Sequence, residues 1–377
     1  MDATAAPAPA HEPARFPCEN CGAPLAYAPG ADALKCPFCG HANQVRQANP
    51  WDAAAALKEL DFEAALRNTL DAENSTDVRV IPCTTCGAEV EFEAAEHAGT
   101  CPWCAAPLIA APQVHPILRP RGVLPFLTPE REAHAAMGQW LGRLWFAPSG
   151  LSDYARKGRK MDGLYVPCWT FDADTTSDYR GQRGDTYYET QMVPVKTGKG
   201  MSMQSRQVPK IRWRRVSGRV RRAFDDILCP ATRAIDHKAF ERLGAWDLMA
   251  LEPYDPRYLA GFRAEAHSIP LKDGYAHARE IMDQTIRRDV RFDIGGDRQQ
   301  IDALSTDIRD VTFKHILVPV WLAAYRYRGK SYRVSVNGRT GQVQGARPYS
   351  PWKIAGAVLA GLILAAAVGY LVAMGQK

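Results

Sequence analysis

Eight of the ten cysteines fall into four Cys-x-x-Cys pairs, and the pairs repeat as a set. Cys18-Glu19-Asn20-Cys21 is followed, after fourteen residues, by Cys36-Pro37-Phe38-Cys39; Cys83-Thr84-Thr85-Cys86 is followed, at the same distance, by Cys101-Pro102-Trp103-Cys104. Each first pair runs into Gly-Ala, each second pair encloses a proline and an aromatic, and the offset is a constant 65 residues. That is an internal repeat. Two residues between thiols let one tight turn aim both sulfurs at a single ion, and a second turn brought alongside by a hairpin completes a tetrahedron. The spacing therefore predicts two zinc ribbons: Cys18, Cys21, Cys36 and Cys39 hold one Zn2+, and Cys83, Cys86, Cys101 and Cys104 hold the other. All four positions are filled in each, as in closed structural sites; a catalytic zinc keeps one open for water.

The competing reading is two disulfides per module. Against it stand the lack of a basic, apolar signal peptide at the N-terminus and an apolar run at the other end. Ile354 to Met374 is 21 residues without a charge, long enough at ~1.5 Å per residue to cross ~30 Å of hydrocarbon. Trp352, Lys353 and Lys377 suit the two interfaces, and Arg347 with Lys353 favours keeping the N-terminal bulk in the cytosol, where thiols stay reduced. The sequence thus predicts a single-pass protein of the cytoplasmic membrane, anchored at its C-terminus. Within this segment Ala357, Gly361, Ala365 and Gly369 recur every fourth residue. Such a stripe lets membrane helices approach closely, so self-association is one reading; the commonness of small residues in such helices is the other.

Domain limits follow from composition. Residues 1–15, rich in Ala and Pro, read as a disordered tail. Ribbon one spans 16–42, and 51–74 reads as one connecting helix capped by Asp52, whose wide apolar face (Leu57, Leu60, Phe62, Leu66) is expected to pack against the ribbons, the alternative being a docking helix for a partner. Ribbon two spans 80–108, and prolines at 112, 116 and 120 read as a linker. Residues 113–350 read as an antiparallel α+β domain, and 354–374 as the membrane helix. Inside the large domain, Thr128-Pro129-Glu130 starts a helix with Thr128 as its cap, and 276–290 forms a second helix. Leu164–Trp169 reappears as Ile316–Trp321, with Tyr-Arg-Gly after each, which raises a weaker duplication into two similar halves against chance matching of short runs. The Pro in each run suggests a strand beginning or an edge. Ser331–Val336 alternates, then turns at Asn337-Gly338. Cys168 and Cys229 read as buried structural thiols, and the nine histidines show no paired spacing.

Charge is divided unevenly. Residues 1–112 hold 6 Lys+Arg and 15 Asp+Glu, a net of −9; the rest hold 41 and 26, a net of +15. Acidic ribbons favour protein contacts or bracing over a grip on phosphates. The basic charge peaks between Lys196 and Arg222, with ten Lys or Arg and no acid. Ile211 and Trp213 alternate with the arginines as if forming an apolar inner face. For Lys210, Arg212, Arg214, Arg215, Arg219, Arg221 and Arg222 three readings stand: a solvated strand face, contact with anionic lipid headgroups, or contact with nucleic acid. There is no G-x-x-x-x-G-K-[ST], G-x-S-x-G or H-E-x-x-H. Nothing proposes a catalytic residue.

Two features together carry a resemblance. One is the pair of ribbons around Asp61-Phe62-Glu63-Ala64-Ala65-Leu66. The other is His315–Trp321, Tyr325–Lys330, Val336-Asn337-Gly338-Arg339-Thr340-Gly341 and Arg347–Ser350 before the apolar helix. From about residue 16 to its end the chain resembles a bacterial family often labelled zinc-ribbon protein, primosomal protein N′ (replication factor Y) or helicase, and it is similar in layout to YdjG-like proteins. The resemblance implies membrane partnership with phage-shock-protein-A-type and flotillin-like (SPFH) proteins in envelope stress. One departure is visible: Gly40 follows the last ligand of ribbon one, but Ala105 stands there in ribbon two. The expectation is a non-enzymatic, membrane-anchored scaffold; the alternatives are a nucleic-acid-binding protein of replication or transcription using 196–222, and an enzyme with an unrecognised site.

Overall fold

The computed structural model describes residues 16–31, 33–45, 49–67, 74–91, 99–108, 113–146, 148, 161–197, 200–327, 330–346 and 349–375. The tail at 1–15, part of the linker, Lys199, Arg328, Gly329 and Arg347 lie outside them, as does the side chain of Lys196.

Ribbon one is a three-stranded antiparallel sheet of β1 (Ala26–Ala28), β2 (Ala33–Lys35) and β3 (Ala42–Gln44). The connector is not one helix. It forms α1 (Pro50–Ala56), β4 (Leu60–Asp61) and α2 (Phe62–Leu66). The caps explain the break: Asn49, rather than Asp52, accepts from Trp51 N at 3.2 Å, and Asp61 accepts from Ala64 N at 2.6 Å, starting a new helix. The apolar face of the connector also packs elsewhere than expected. Phe62 lies against Phe171 and Tyr275 of the central body, not against the ribbons.

Next come β5 (Ser75–Pro82), β6 (Glu89–Glu91), β7 (Gly99–Thr100), β8 (Pro107–Leu108) and β9 (Gln113–Leu118). The last is a strand where a linker was expected. Among the described residues it pairs with β5 alone, so Pro116 has no second strand neighbour there. The body continues with β10 (Gly122–Val123), α3 (Glu130–Gly142), β11 (Asp162–Thr197), β12 (Gly200–Pro230), α4 (His237–Glu241), β13 (Glu252–Pro253), β14 (Arg263–Ala266), α5 (Leu271–Ile294), β15 (Arg298–Tyr327), β16 (Lys330–Asn337) and β17 (Val343–Gly345). The apolar α6 (Pro351–Gly375) follows. Thr128 does not cap α3; Pro129 occupies the cap, and the Thr128 hydroxyl donates to Arg339 O at 3.3 Å.

Among the described residues, twelve strands form one sheet in the order β13-β10-β15-β11-β14-β6-β5-β9, with β12 beside β11 and β16 beside β15. Most pairs are antiparallel, but β10–β15 and β11–β14 are parallel, so the sheet is mixed rather than purely antiparallel. Ribbon two is not a separate module either: β5 and β6 extend the central sheet through β14.

Pro167 and Pro319 sit in the middle of the sheet, contrary to the expected edge. β11 pairs with β14 at Leu164-Tyr165 and with β12 from Cys168 onward; β15 pairs with β10 at Ile316-Leu317 and with β16 from Val320 onward. Each proline occupies the point where one neighbour gives way to the next, and its carbonyl accepts on that side, from Ala231 N and Gly338 N respectively, both at 2.8 Å. A missing N–H there breaks no ladder. Val166 faces Val318 across the central pair. Trp169 donates to Ile269 O just before α5, and Trp321 to Thr128 O just before α3. The order β-α-β-β occurs as β10-α3-β11-β12 and again as β14-α5-β15-β16.

β11 has 36 residues, reaching about 115 Å at ~3.3 Å per residue. α5 covers one face of its lower half through Ala278, Met282, Ile286, Val290 and Ile294. β15 ends its pairing with β11 at Gly184, so beyond that residue β11 and β12 continue as a two-stranded arm.

Candidate metal centres

Each cluster is built from two identical turns. Gly22 N donates to Cys18 O, Gly40 N to Cys36 O, Gly87 N to Cys83 O and Ala105 N to Cys101 O, at 2.8 to 3.0 Å. Each ligand that opens a pair then donates its own N–H to the residue after that turn: Cys18 to Ala23, Cys36 to His41, Cys83 to Ala88 and Cys101 to Ala106, all at 2.8 Å. Closing such a turn needs positive φ at its last residue. Gly22, Gly40 and Gly87 supply it at 72°, 75° and 76°; Ala105 adopts 57° despite its Cβ.

The sulfurs of each set lie within 4.8 Å of one another. Cys18–Cys39 and Cys86–Cys101 are 3.6 Å apart, and Cys21–Cys36 and Cys83–Cys104 are 3.5 Å apart. A tetrahedron with ~2.3 Å Zn–S bonds has edges of ~3.8 Å, whereas a disulfide needs ~2.05 Å. The eight thiols therefore form two four-cysteine sites for structural zinc, with no open position. In the second set the hydrogen bond between Cys86 and Cys101 draws the Cys86 thiol down to about 5 and pushes the Cys101 thiol up. A bound Zn2+ would take all four as thiolates.

The two sites sit differently on the body. Cys18 and Cys36 are buried with Leu25, Tyr27 and Leu34 in the cluster that contains α3, and Tyr27 meets Tyr258 edge-on at 5.3 Å, while Cys21 and Cys39 are exposed. In site two none of the four is fully exposed. Trp103, between two ligands, is 2% exposed and donates to Glu265 Oε2 at 2.8 Å; Glu265, itself buried, also accepts from Thr232 Oγ1. Burial raises the Glu265 carboxyl to about 8.

The basic stretch lies on β12. Four of its charges have cross-strand or helix acids that the linear sequence hides. Lys210 pairs with Glu189, Arg214 with Asp185, Arg219 with Asp178 and Arg222 with Asp289 of α5, while Arg212 lies 5.0 Å over the Tyr187 ring. Arg215 and Arg221 have no ion pair with a described residue. Ile211 and Trp213 do not form an inner face; 38% and 43% exposed, they lie across Gly184.

Sequence spacing also missed several clusters. His267 and His315 meet beside Trp169, with ring centroids 5.4 Å apart, and His315 Nδ1 lies 2.6 Å from Leu118 O. Burial lowers them to about 4 and about 3. His237 stacks on His277 at 3.3 Å. Lys314 bridges Glu59 and Asp226 at 2.9 and 2.8 Å, tying β4 to the base of the arm. These residues lie far apart in sequence, and only the tertiary packing brings them together. Asn337 of the shared terminal motif is structural as well: fully buried, it accepts from Arg339 N and Thr340 N and donates to Leu243 O. Cys168 and Cys229 are buried free thiols, as expected.

Among the described residues one helix is long and apolar enough to cross a membrane: Pro351–Val372, with mean hydropathy 2.3 and none of it buried against the chain.

The LSD1 zinc finger family matches residues 18–41, which contain the four ligands of site one. An uncharacterized protein of Bacillus subtilis (strain 168), YdjG, is 23% identical over 355 residues, covering 90% of this chain and 92% of its own length. No solved structure matches. The chain is therefore similar along most of its length to YdjG and carries an LSD1-type zinc finger at its N-terminus.

Proposed function

We propose that the protein is a non-enzymatic scaffold of the cytoplasmic membrane, with its N-terminal bulk in the cytosol, α6 as its tether and zinc-braced surface as its means of recruiting other proteins. The observation that carries this reading is the contrast within one chain: α6 is apolar and uncovered, while both zinc sites are fixed to a single mixed sheet. A folded body on a tether keeps its surface within reach of the membrane. The pairing of Lys210, Arg214, Arg219 and Arg222 with acids supports this reading over nucleic-acid binding, because a paired arginine releases few counterions from phosphate. The arginines of β12 have a simpler role on a long open strand edge, where charge discourages pairing with another chain. The recurrence of β-α-β-β about Val166 and Val318 supports two copies of one unit as the origin of the body.

Phage-shock-protein-A-type and flotillin-like proteins, implied by the resemblance, are the first partners to try. The test is co-purification from crosslinked membranes of the full chain beside a Cys36→Ser variant. Partners lost with ribbon one while the chain stays in the membrane support the scaffold. Nucleic acid and replication proteins retained by both forms would overturn it.

A further inference from the structure

The repeat places one aromatic between the last two ligands of each ribbon, and the two have opposite fates. Trp103 is 2% exposed, and it shares its buried cluster with Ile81, Val90 and Ala234 while its indole donates to Glu265. Phe38, 65 residues earlier at the matching position, is 76% exposed. Its flanking Pro37, Cys39 and Gly40 are exposed as well. The opposite side of ribbon one is held firmly: Tyr27 N donates to Ala260 O at 2.9 Å and Gly30 N to Phe126 O at 3.2 Å. The turn at Phe38 is therefore a rigid, outward-facing knob, and the same chain shows how such a knob is received: by a buried recess on another surface.

We infer that Phe38 is the anchor by which ribbon one docks a partner protein, and that the partner offers an apolar pocket rimmed by Lys or Arg. The inference rests on the scaffold reading and narrows it to one ribbon, since ribbon two has already spent its knob inside the molecule. The rim follows from charge. Residues 16–45 hold Glu19, Asp32 and Lys35, a net of −1, and four thiolates around Zn2+ add about −2. Cys21 and Cys39 expose their side of that anion next to Phe38. The pocket follows from the side chain: phenylalanine has no donor, so unlike Trp103 it needs no buried carboxylate to receive it. Aromatic anchors seated in desolvated pockets dominate such interfaces.

The test uses the full chain in the membranes of the cells that make it, with p-benzoylphenylalanine replacing Phe38, and as control replacing Met249, which is 97% exposed elsewhere on the body. The expected result is a protein adduct formed from position 38 and not from 249, crosslinked within an apolar pocket bordered by basic residues. The purified partner then binds the full chain in detergent at least tenfold more weakly after Phe38→Ala, and more weakly as salt rises, with two zinc ions per chain retained. Adducts to lipid or to a second copy only, no adduct beyond the control, or an unchanged Kd after Phe38→Ala would overturn the inference. A partner lost in Cys36→Ser but retained in Phe38→Ala would overturn the knob and leave the scaffold standing; retention in both would remove both.

Discussion

Ala105 shows what a single Cβ does to a metal turn. Three of the four turns use glycine at positive φ, and the fourth forces alanine to 57°. The left-handed region costs an L-residue roughly 1–2 kcal/mol. Ala105→Gly is therefore expected to stabilise site two by about 1 kcal/mol, read as slower zinc loss to a chelator; faster loss would show that the turn is not strained. His267 and His315 make a second prediction at this scale. Both are held neutral, at about 4 and about 3, while in the unfolded chain they take a proton near 6.5. The unfolded state thus binds more protons as pH falls, and stability declines below pH 6.5. Each histidine contributes a loss of about 2 kcal/mol between pH 6.5 and 5. With zinc saturating, His315→Gln should unfold with a shallower acid dependence than the parent; equal slopes would refute this.

Elements are positioned by where they must touch. Gly274 of α5 is buried, and a Cβ there would lie 2.4 Å from Trp169 Cδ1. Alanine is the better helix former by ~1 kcal/mol, but overpacking a core costs ~1–3 kcal/mol, so Gly274→Ala should lower the Tm. A higher Tm would mean that Trp169 yields freely. The ribbons make the same point about unequal neighbours. Cys18 and Cys36 share a buried cluster with Tyr165 and Leu317, and Cys83 and Cys101 one with Val166 and Val318, but strands β5 and β6 beside site two are also hydrogen-bonded into the central sheet. Cys21→Ser should remove one zinc per chain and leave the body's near-ultraviolet signal intact. Cys101→Ser should remove one zinc and lower the Tm of the whole body. Equal effects of the two would contradict the integration of ribbon two into the sheet.

For the whole molecule, residues 113–377 carry a net +15; four basic residues of β12 are paired with acids already counted in that sum, while Arg215 and Arg221 have no ion pair with a described residue. A chain ending before Pro351 should keep both zinc ions, leave the membrane fraction and show no binding to a DNA duplex at physiological salt. Salt-sensitive binding lost in Arg215→Ala with Arg221→Ala would restore the nucleic-acid reading. Persistence of the truncated chain in membranes would move the membrane contact from α6 to the body.

The eight ligands, the 65-residue repeat and the apolar C-terminal run were readable from the chain because each depends on local spacing: thiols two residues apart share a turn, and 21 uncharged residues need no partner to define them. α5 was readable too, from its 3.6-residue stripe. The connector was misread because helix periodicity says nothing about the caps at Asn49 and Asp61. The charge of β12 left three readings open because its counterions lie on neighbouring elements, Asp178, Asp185 and Glu189 of β11 and Asp289 of α5. Most of all, two copies of one motif, alike in sequence, came to differ in exposure. Whether Phe38 or Trp103 finds a recess is set by strand pairing far along the chain, which places β14 and Glu265 beside ribbon two and leaves the knob of ribbon one in solvent.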